Sequence, residues 1–221
     1  MLITLPSVDP ELYRYIDDNI LPLYQDFDAA HRRDHAERVI ANSFDLAKHY
    51  DVNPSMLFAI AAFHDTGLQC GRKLHHLVSG RIVRTDPQLP RWFTSQQLEV
   101  MAQAVEDHRA SIGYRPRSLY GLIVAEADRD IDPLGILRRT VQYGIDHYLD
   151  LDSEGHWQRT VQHLREKYDE GGYLQLFIPQ SPNAERLAEL RTIIHNPALL
   201  RQHFERLYSE ALKEKTHFNI S

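Results

Sequence analysis

An imidazole and a carboxylate stand side by side at His64-Asp65, directly after eight apolar residues, Met56-Leu-Phe-Ala-Ile-Ala-Ala-Phe63. Burying such a pair at the inner end of an apolar segment is costly unless something offsets the lost hydration. A metal ion offsets it directly, because carboxylate oxygen and imidazole nitrogen are both good ligands for divalent ions. A plainer reading stays open, in which His64 caps a helix C-terminus, where the dipole favours it, and Asp65 faces water. Other groups bear on the choice. His35 lies upstream, followed by Arg38-Val39, and Asp128 lies downstream in Ala125-Glu-Ala-Asp-Arg-Asp-Ile-Asp132, at the end of a mostly apolar run. Between them come His76, in His75-His-Leu-Val-Ser-Gly80, and His108, in Ala104-Val-Glu-Asp-His-Arg109.

The elements that must position these groups read as helices. Apolar residues recur at three- and four-residue intervals over 11–26, 34–50 and 54–64, and alternating strand-like runs are scarce. The fold class is therefore all-α. The second helix carries His35 in its first turn, with Val39, Ile40, Phe44 and Ala47 on or near one face and Asp34 as the N-cap candidate. Asn53-Pro54 supplies an N-cap before a proline at the first helical position, and the helix that follows is apolar all round and hence buried. Gly67 is expected to end it in a left-handed conformation. Further helices are expected over 74–85, 95–108 behind a Thr94/Ser95 cap, 117–127 and 133–149. A break is expected at 152–155, then a helix over 157–168 and a long helical stretch over 184–213 interrupted at Asn196-Pro197.

The order His, His-Asp, Asp, with the first His followed by x-x-Arg-Val and the last Asp inside Ala-Asp-Arg, resembles the HD-domain metal-dependent phosphohydrolase superfamily. The resemblance covers about residues 26–139. It implies a helical bundle of the HD type, while chain length suggests a single domain over 1–221 and the apolar spacing makes the remainder a C-terminal helical extension. It also implies His35, His64, Asp65 and Asp128 as ligands of a divalent metal. HD proteins with a two-metal centre, including phosphodiesterase-type members and HD-type diadenosine tetraphosphate hydrolases, place a histidine in each of the two intervening stretches. The His-x-x-x-Gly and Ala-x-x-x-His patterns look like theirs, implying that His76 and His108 hold a second ion with Asp65 bridging both. His75 is the rival of His76, which is preferred because it stands four residues before Gly80. That either histidine is an ordinary surface or supporting residue stays open. Nitrogen-rich coordination favours Fe, Mn, Zn or Ni, in one or two ions, with Mg also admitted.

His31 stands four residues before His35 and would share its face only on a continuous helix. With Asp34 as cap, a supporting or substrate contact fits His31 better than ligation. Arg32, Arg72, Lys73 and Arg109 flank the implied ligands, and Lys73 and Arg109 are the preferred holders of phosphate oxygens. No Glu follows the His-Asp pair closely, and Gly67 is followed by Leu68 where cyclic-dinucleotide phosphodiesterases carry Gly-Lys. The substrates of those subclasses are therefore not carried over.

Composition narrows the field. The 221 residues, 43% hydrophobic and 25% charged, suit one ordered domain. A net charge of −6 leaves no cationic surplus for nucleic acid. The single cysteine, Cys70, forbids an intramolecular disulfide and fits a reducing compartment. Met1-Leu-Ile-Thr-Leu-Pro6 does not resemble a leader, and no segment approaches the ~20 apolar residues of a membrane span, so a cytoplasmic location is expected. Thirteen histidines are scattered and form no tag. Walker loops, His-Glu-x-x-His, Cys-x-x-Cys and Gly-x-Ser-x-Gly are absent.

These readings imply hydrolysis of a phosphate ester or anhydride in a small phosphorylated substrate, with a nucleotide or dinucleotide suggested by the resemblance alone. Two rivals stand beside it: a two-iron HD oxygenase, and a catalytically silent HD module that senses a nucleotide or binds a protein. The oligomeric state is not read from the sequence, and a homodimer is left open.

Overall fold

Asn53 accepts hydrogen bonds from the Ser55 and Met56 amides at 2.9 and 3.1 Å, and Pro54 follows in the first turn, where its missing N–H costs nothing. The helix so started, Pro54–Phe63, buries every residue from Met56 to Phe63. It can do so only with neighbours on all sides.

The computed structural model describes residues 7–27, 31–129 and 131–218. Residues 1–6, where no leader was expected, lie outside them, as does Asp130 of the downstream acidic run. The chain divides into two compact units. The first, residues 1–129 with Phe177–Ser181, contains α1 (Pro10–Asn19), α2 (Arg33–Ala47), α3 (Pro54–Phe63), α4 (His75–Thr85), α5 (Ser95–Glu106) and α6 (Leu119–Asp128). Short 3-10 turns run over Leu21–Asp26, Thr66–Cys70 and Leu89–Arg91. α3 packs against α1, α2, α5 and α6, and Tyr13 stacks on Phe58 with ring centroids 5.3 Å apart. Ile178, far along the chain, is buried in this same core.

The second unit, residues 130–176 with 182–221, contains α7 (Pro133–His147), α8 (Ser153–Tyr168), α9 (Asn183–Ile194) and α10 (Pro197–Phe218). Asp132 and Asp152 cap α7 and α8 by accepting from the Gly135 and Gly155 amides at 3.0 and 2.8 Å. Trp157 meets Phe204 edge to face at 5.4 Å. Among the described residues there is no strand, and no helix is long and apolar enough to cross a membrane.

The all-α expectation holds, and the differences are local. Asp152 starts α8 at Ser153, where a break up to Gly155 was expected. α5 stops at Glu106, two residues short of His108, and α6 starts at Leu119 behind Ser118. α2 begins at Arg33 with Arg32 in the cap position, so Asp34 lies inside the first turn, where its charge suits the dipole. Thr94 and Gln97 form a reciprocal capping box on α5.

Gly67 needs correction. It sits inside the 3-10 turn Thr66–Cys70, and the left-handed residue is Gly71, with φ 95°. Gly67 is required by close approach: a Cβ there would lie 2.2 Å from the His75 carbonyl oxygen and 2.7 Å from the Ser79 nitrogen. Its amide donates to Ser79 Oγ at 2.8 Å. The turn after the His-Asp pair is thereby pressed against the start of α4. Gly67→Ala is expected to lower the unfolding free energy by about 1–3 kcal/mol, because the overlap is with backbone that cannot swing aside. Urea denaturation checks this, and an unchanged midpoint would contradict the packing described.

Candidate metal centre

The last turn of α3 fixes the His-Asp pair. His64, fully buried, donates its Nδ1–H to the Ala61 carbonyl at 2.7 Å. The buried Tyr24 hydroxyl donates to the Ala62 carbonyl at 2.8 Å and accepts the Asp65 amide at 3.2 Å. Thr66 Oγ1 donates to the Phe63 carbonyl at 2.8 Å. Three carbonyls that the helix end leaves without main-chain donors are thus satisfied, and the two side chains are held in place.

Around Asp65 the groups divide by carboxylate oxygen. Asp65 Oδ2 lies 3.6 Å from His35 Nε2 and 3.3 Å from His64 Nε2. The two imidazole nitrogens are 3.2 Å apart. Asp128 Oδ1 joins this side, 3.2 Å from His35 Nε2 and 3.8 Å from His64 Nε2. Asp65 Oδ1 faces the other side, 3.2 Å from His75 Nε2 and 3.3 Å from His108 Nε2, which are themselves 3.1 Å apart. Two groups result, His35–His64–Asp65 and Asp65–His75–His108, each with its ligand atoms within 4.8 Å of one another.

Protonation shows what these groups fit. His75 donates Nδ1–H to the Arg72 carbonyl at 2.8 Å, and His108 donates Nδ1–H to the Val105 carbonyl at 2.6 Å. With His64, three rings therefore carry their proton on Nδ1 when neutral and turn the Nε2 lone pair inward. Lone pairs at such short range repel one another unless a proton or a metal cation lies among them. Backbone-anchored Nδ1 with inward Nε2 is also the usual support of a metal-binding histidine. His35 is the exception, since its Nδ1 lies 3.3 Å from Arg38 Nη2, which can only donate. A cation on His35 Nε2 requires that contact to open.

The charges agree. Burial lowers the His35 pKa, but Asp128 and Asp65 outweigh it and push it up to about 9. Burial likewise opposes protonation of His64, and Asp65 raises it nonetheless. For Asp65 burial favours the neutral acid, yet His64, His108 and His35 hold the carboxyl well below its usual range. Asp128 is also held down, by His35, His64 and His108 against burial. Without a cation the ring nitrogens take up the positive charge that these carboxylates require.

Of the residues singled out in the sequence, the structure brings together His35, His64, Asp65, Asp128 and His108. It does not bring His76 to the cluster, and His75 stands there in its place. Neighbours on a helix point roughly 100° apart, so only one of the two can face Asp65. The spacing to Gly80 has another cause: a Cβ at Gly80 would lie 2.5 Å from Glu106 Cγ, so that glycine lets α4 and α5 close together. His76 is buried, its Nδ1 has no hydrogen-bond partner among the described residues, and burial lowers its pKa to about 4. Arg109 donates to the Lys73 main-chain carbonyl, tying the end of α5 to the turn before α4, and the Lys73 side chain is exposed. His31 lies outside α2, with its ring edge-on to His35 at 5.6 Å.

Sequence reasoning missed Tyr24, whose contacts lie about forty residues away in the chain and leave no local signal. It also missed Glu106-Asp107, the acid pair before His108. Asp107, fully buried, accepts from the Arg117 amide at 2.6 Å, from Arg117 Nε at 3.0 Å and from the Tyr114 hydroxyl at 3.1 Å. Glu106 pairs with Arg84 and, at 2.7 Å, with Arg117. Two acids next to each other are an unpromising core sequence, and that oddity was the available signal.

Residues 32–130 match the family model described as the HD domain. No curated protein and no solved structure matches the chain.

The Glu106 pairs make a pH prediction. Burial raises the Glu106 pKa, but Arg84 and Arg117 outweigh it and hold the carboxyl below its ordinary value. A depressed folded-state pKa adds stability that is present above the unfolded value, about 4.3, and is lost as pH falls through the folded one. Glu106→Gln is therefore expected to be less stable than wild type at pH 7, with the gap narrowing below about pH 4. Thermal melts across pH check this, and a gap that widens in acid would contradict it.

Proposed function

We propose that this chain, which belongs to the HD metal-dependent phosphohydrolase superfamily through residues 32–130, hydrolyses a phosphate ester or anhydride in a small phosphorylated substrate. The observation that carries the reading is the shared Asp65 carboxylate, one oxygen on His35 and His64 and the other on His75 and His108. His35, His64, Asp65 and Asp128 would hold one divalent ion, and Asp65, His75 and His108 a second. The donor set is rich in nitrogen, which favours Fe, Mn, Zn or Ni over Mg. Ions bound there would supply acidified water as nucleophile and neutralise charge on the phosphoryl oxygens.

The chain's own residues do the rest. Tyr24 and Thr66 keep Asp65 and its helix end rigid. The Ala61, Arg72 and Val105 carbonyls hold three imidazoles in the tautomer that offers Nε2. Asp128 is the most exposed of the proposed ligands, with a quarter of its side chain open, and His75 follows at 13%, so substrate reaches the pair from their side. Arg109, already joined to the Lys73 carbonyl, has further N–H donors for a phosphate oxygen, and the exposed Lys73 ammonium adds a mobile charge. A nucleotide is the first substrate class to test.

Metal content and phosphate release from a panel of nucleotides and phosphate esters, measured for wild type and Asp65→Asn, test this. The variant is expected to lose bound metal and at least about 100-fold in turnover, because both halves of the site depend on one carboxylate. Equal metal content and turnover would refute the site. Iron with oxygen consumption and no phosphate release would replace hydrolysis by the oxygenase reading.

A further inference from the structure

A second, cationic feature is carried by chain segments next to those of the candidate ligands. The Phe177 ring has the Arg129 guanidinium carbon 5.4 Å from its centroid and that of Arg115 at 5.6 Å. Each arginine is set by a ligand's neighbour. Arg129 follows Asp128 directly. Arg115 lies in the loop after His108, between Tyr114 and Arg117, both of which bind the buried Asp107. Phe177 itself is placed by its amide, which donates to the fully buried Glu126 carboxylate at 3.0 Å, two residues before Asp128. The stack is thus tied at both ends to the chain segments that carry His108 and Asp128.

The two arginines are not equivalent. Arg129 is half-buried, and the charges of Glu126 and Asp128 oppose the effect of burial on it. Arg115 is exposed, and among the described residues no carboxylate pairs with it. Among the described residues its partner is an aromatic face, which engages the flat side of a guanidinium and leaves the N–H edge directed elsewhere. An unpaired guanidinium held on a ring, with its donors free, suits an anion with several oxygens. Stacking also restrains the side chain, so less rotamer freedom is lost on binding.

We infer that Arg115, stacked on Phe177 beside Arg129, binds a second anionic group of the substrate, so that the preferred substrates carry at least two phosphoryl groups. The inference rests on the phosphohydrolase reading of the Asp65 site. One phosphoryl group would lie at the His and Asp cluster, and the next would meet Arg115. A monoester has nothing to offer Arg115 and binds through the cluster alone.

Equilibrium dialysis at a fixed free Mn²⁺ concentration tests it with two probes that are not hydrolysed, inorganic phosphate and methylenediphosphonate. The proteins are wild type, Arg115→Ala, Arg115→Lys and His64→Ala. Arg115→Ala is expected to weaken methylenediphosphonate about tenfold and leave phosphate within about twofold, the scale of one lost charge-assisted contact. Arg115→Lys should recover only part of the loss, since a point charge replaces a planar fork. His64→Ala should weaken both probes. If wild type binds both anions and Arg115→Ala matches it on methylenediphosphonate, or loses both probes equally, this inference falls and the phosphohydrolase reading stands. If metal-loaded wild type binds neither anion, both fall together.

Discussion

A carboxylate buried among four imidazoles must find positive charge, and most of the first unit's local structure follows from how that need is met. Asp65 is almost inaccessible, and each of its oxygens faces two ring nitrogens. Three of those rings are tied through Nδ1 to main-chain carbonyls, so those three offer Asp65 a proton only if they ionise. A cation between the nitrogens removes that requirement. The alternative, imidazolium held in a largely buried site, carries a desolvation cost that ion pairing has to offset.

The scaffold is shaped to hold this arrangement. An α3 that is apolar on every side can exist only at the centre of a bundle, and its C-terminal end is therefore inside. Tyr24 closes that end from one side and the Gly67 turn packs onto α4 from another. His75 arrives because α4 starts where it does, and His108 arrives because Asp107 and Glu106 anchor the residues after α5 through Arg117 and Arg84. The polar ligands come from helix ends and the turns beside them, where a side chain can reach inward while main-chain groups find local partners.

Helices were legible in the sequence because apolar spacing and caps such as Asn53 and Thr94 act locally. The set His35, His64, Asp65, Asp128 and His108 was legible through order and family resemblance, since motif residues keep their sequence context. What escaped was set by contact between distant segments. The choice between His75 and His76 depends on which way α4 faces, and the pattern used to decide it, His-x-x-x-Gly, reflects the packing of Gly80 on Glu106. Gly67 reads as a helix stop in sequence and is in fact a point of contact with α4. No composition change marks Asp130 as the start of a second unit, or Phe177–Ser181 as part of the first. The Tyr24 and Phe177 roles arise only once the chain has folded.

The central claim is that the two imidazole pairs on either side of Asp65 take up cations. Anomalous diffraction from crystals equilibrated with Mn²⁺ addresses it most directly. The account predicts two peaks flanking Asp65, one within about 2.0–2.3 Å of His35 and His64 Nε2 and the other equally close to His75 and His108 Nε2. A peak on one side alone would contradict the second ion, and no peak within reach of Asp65 would contradict the account as a whole.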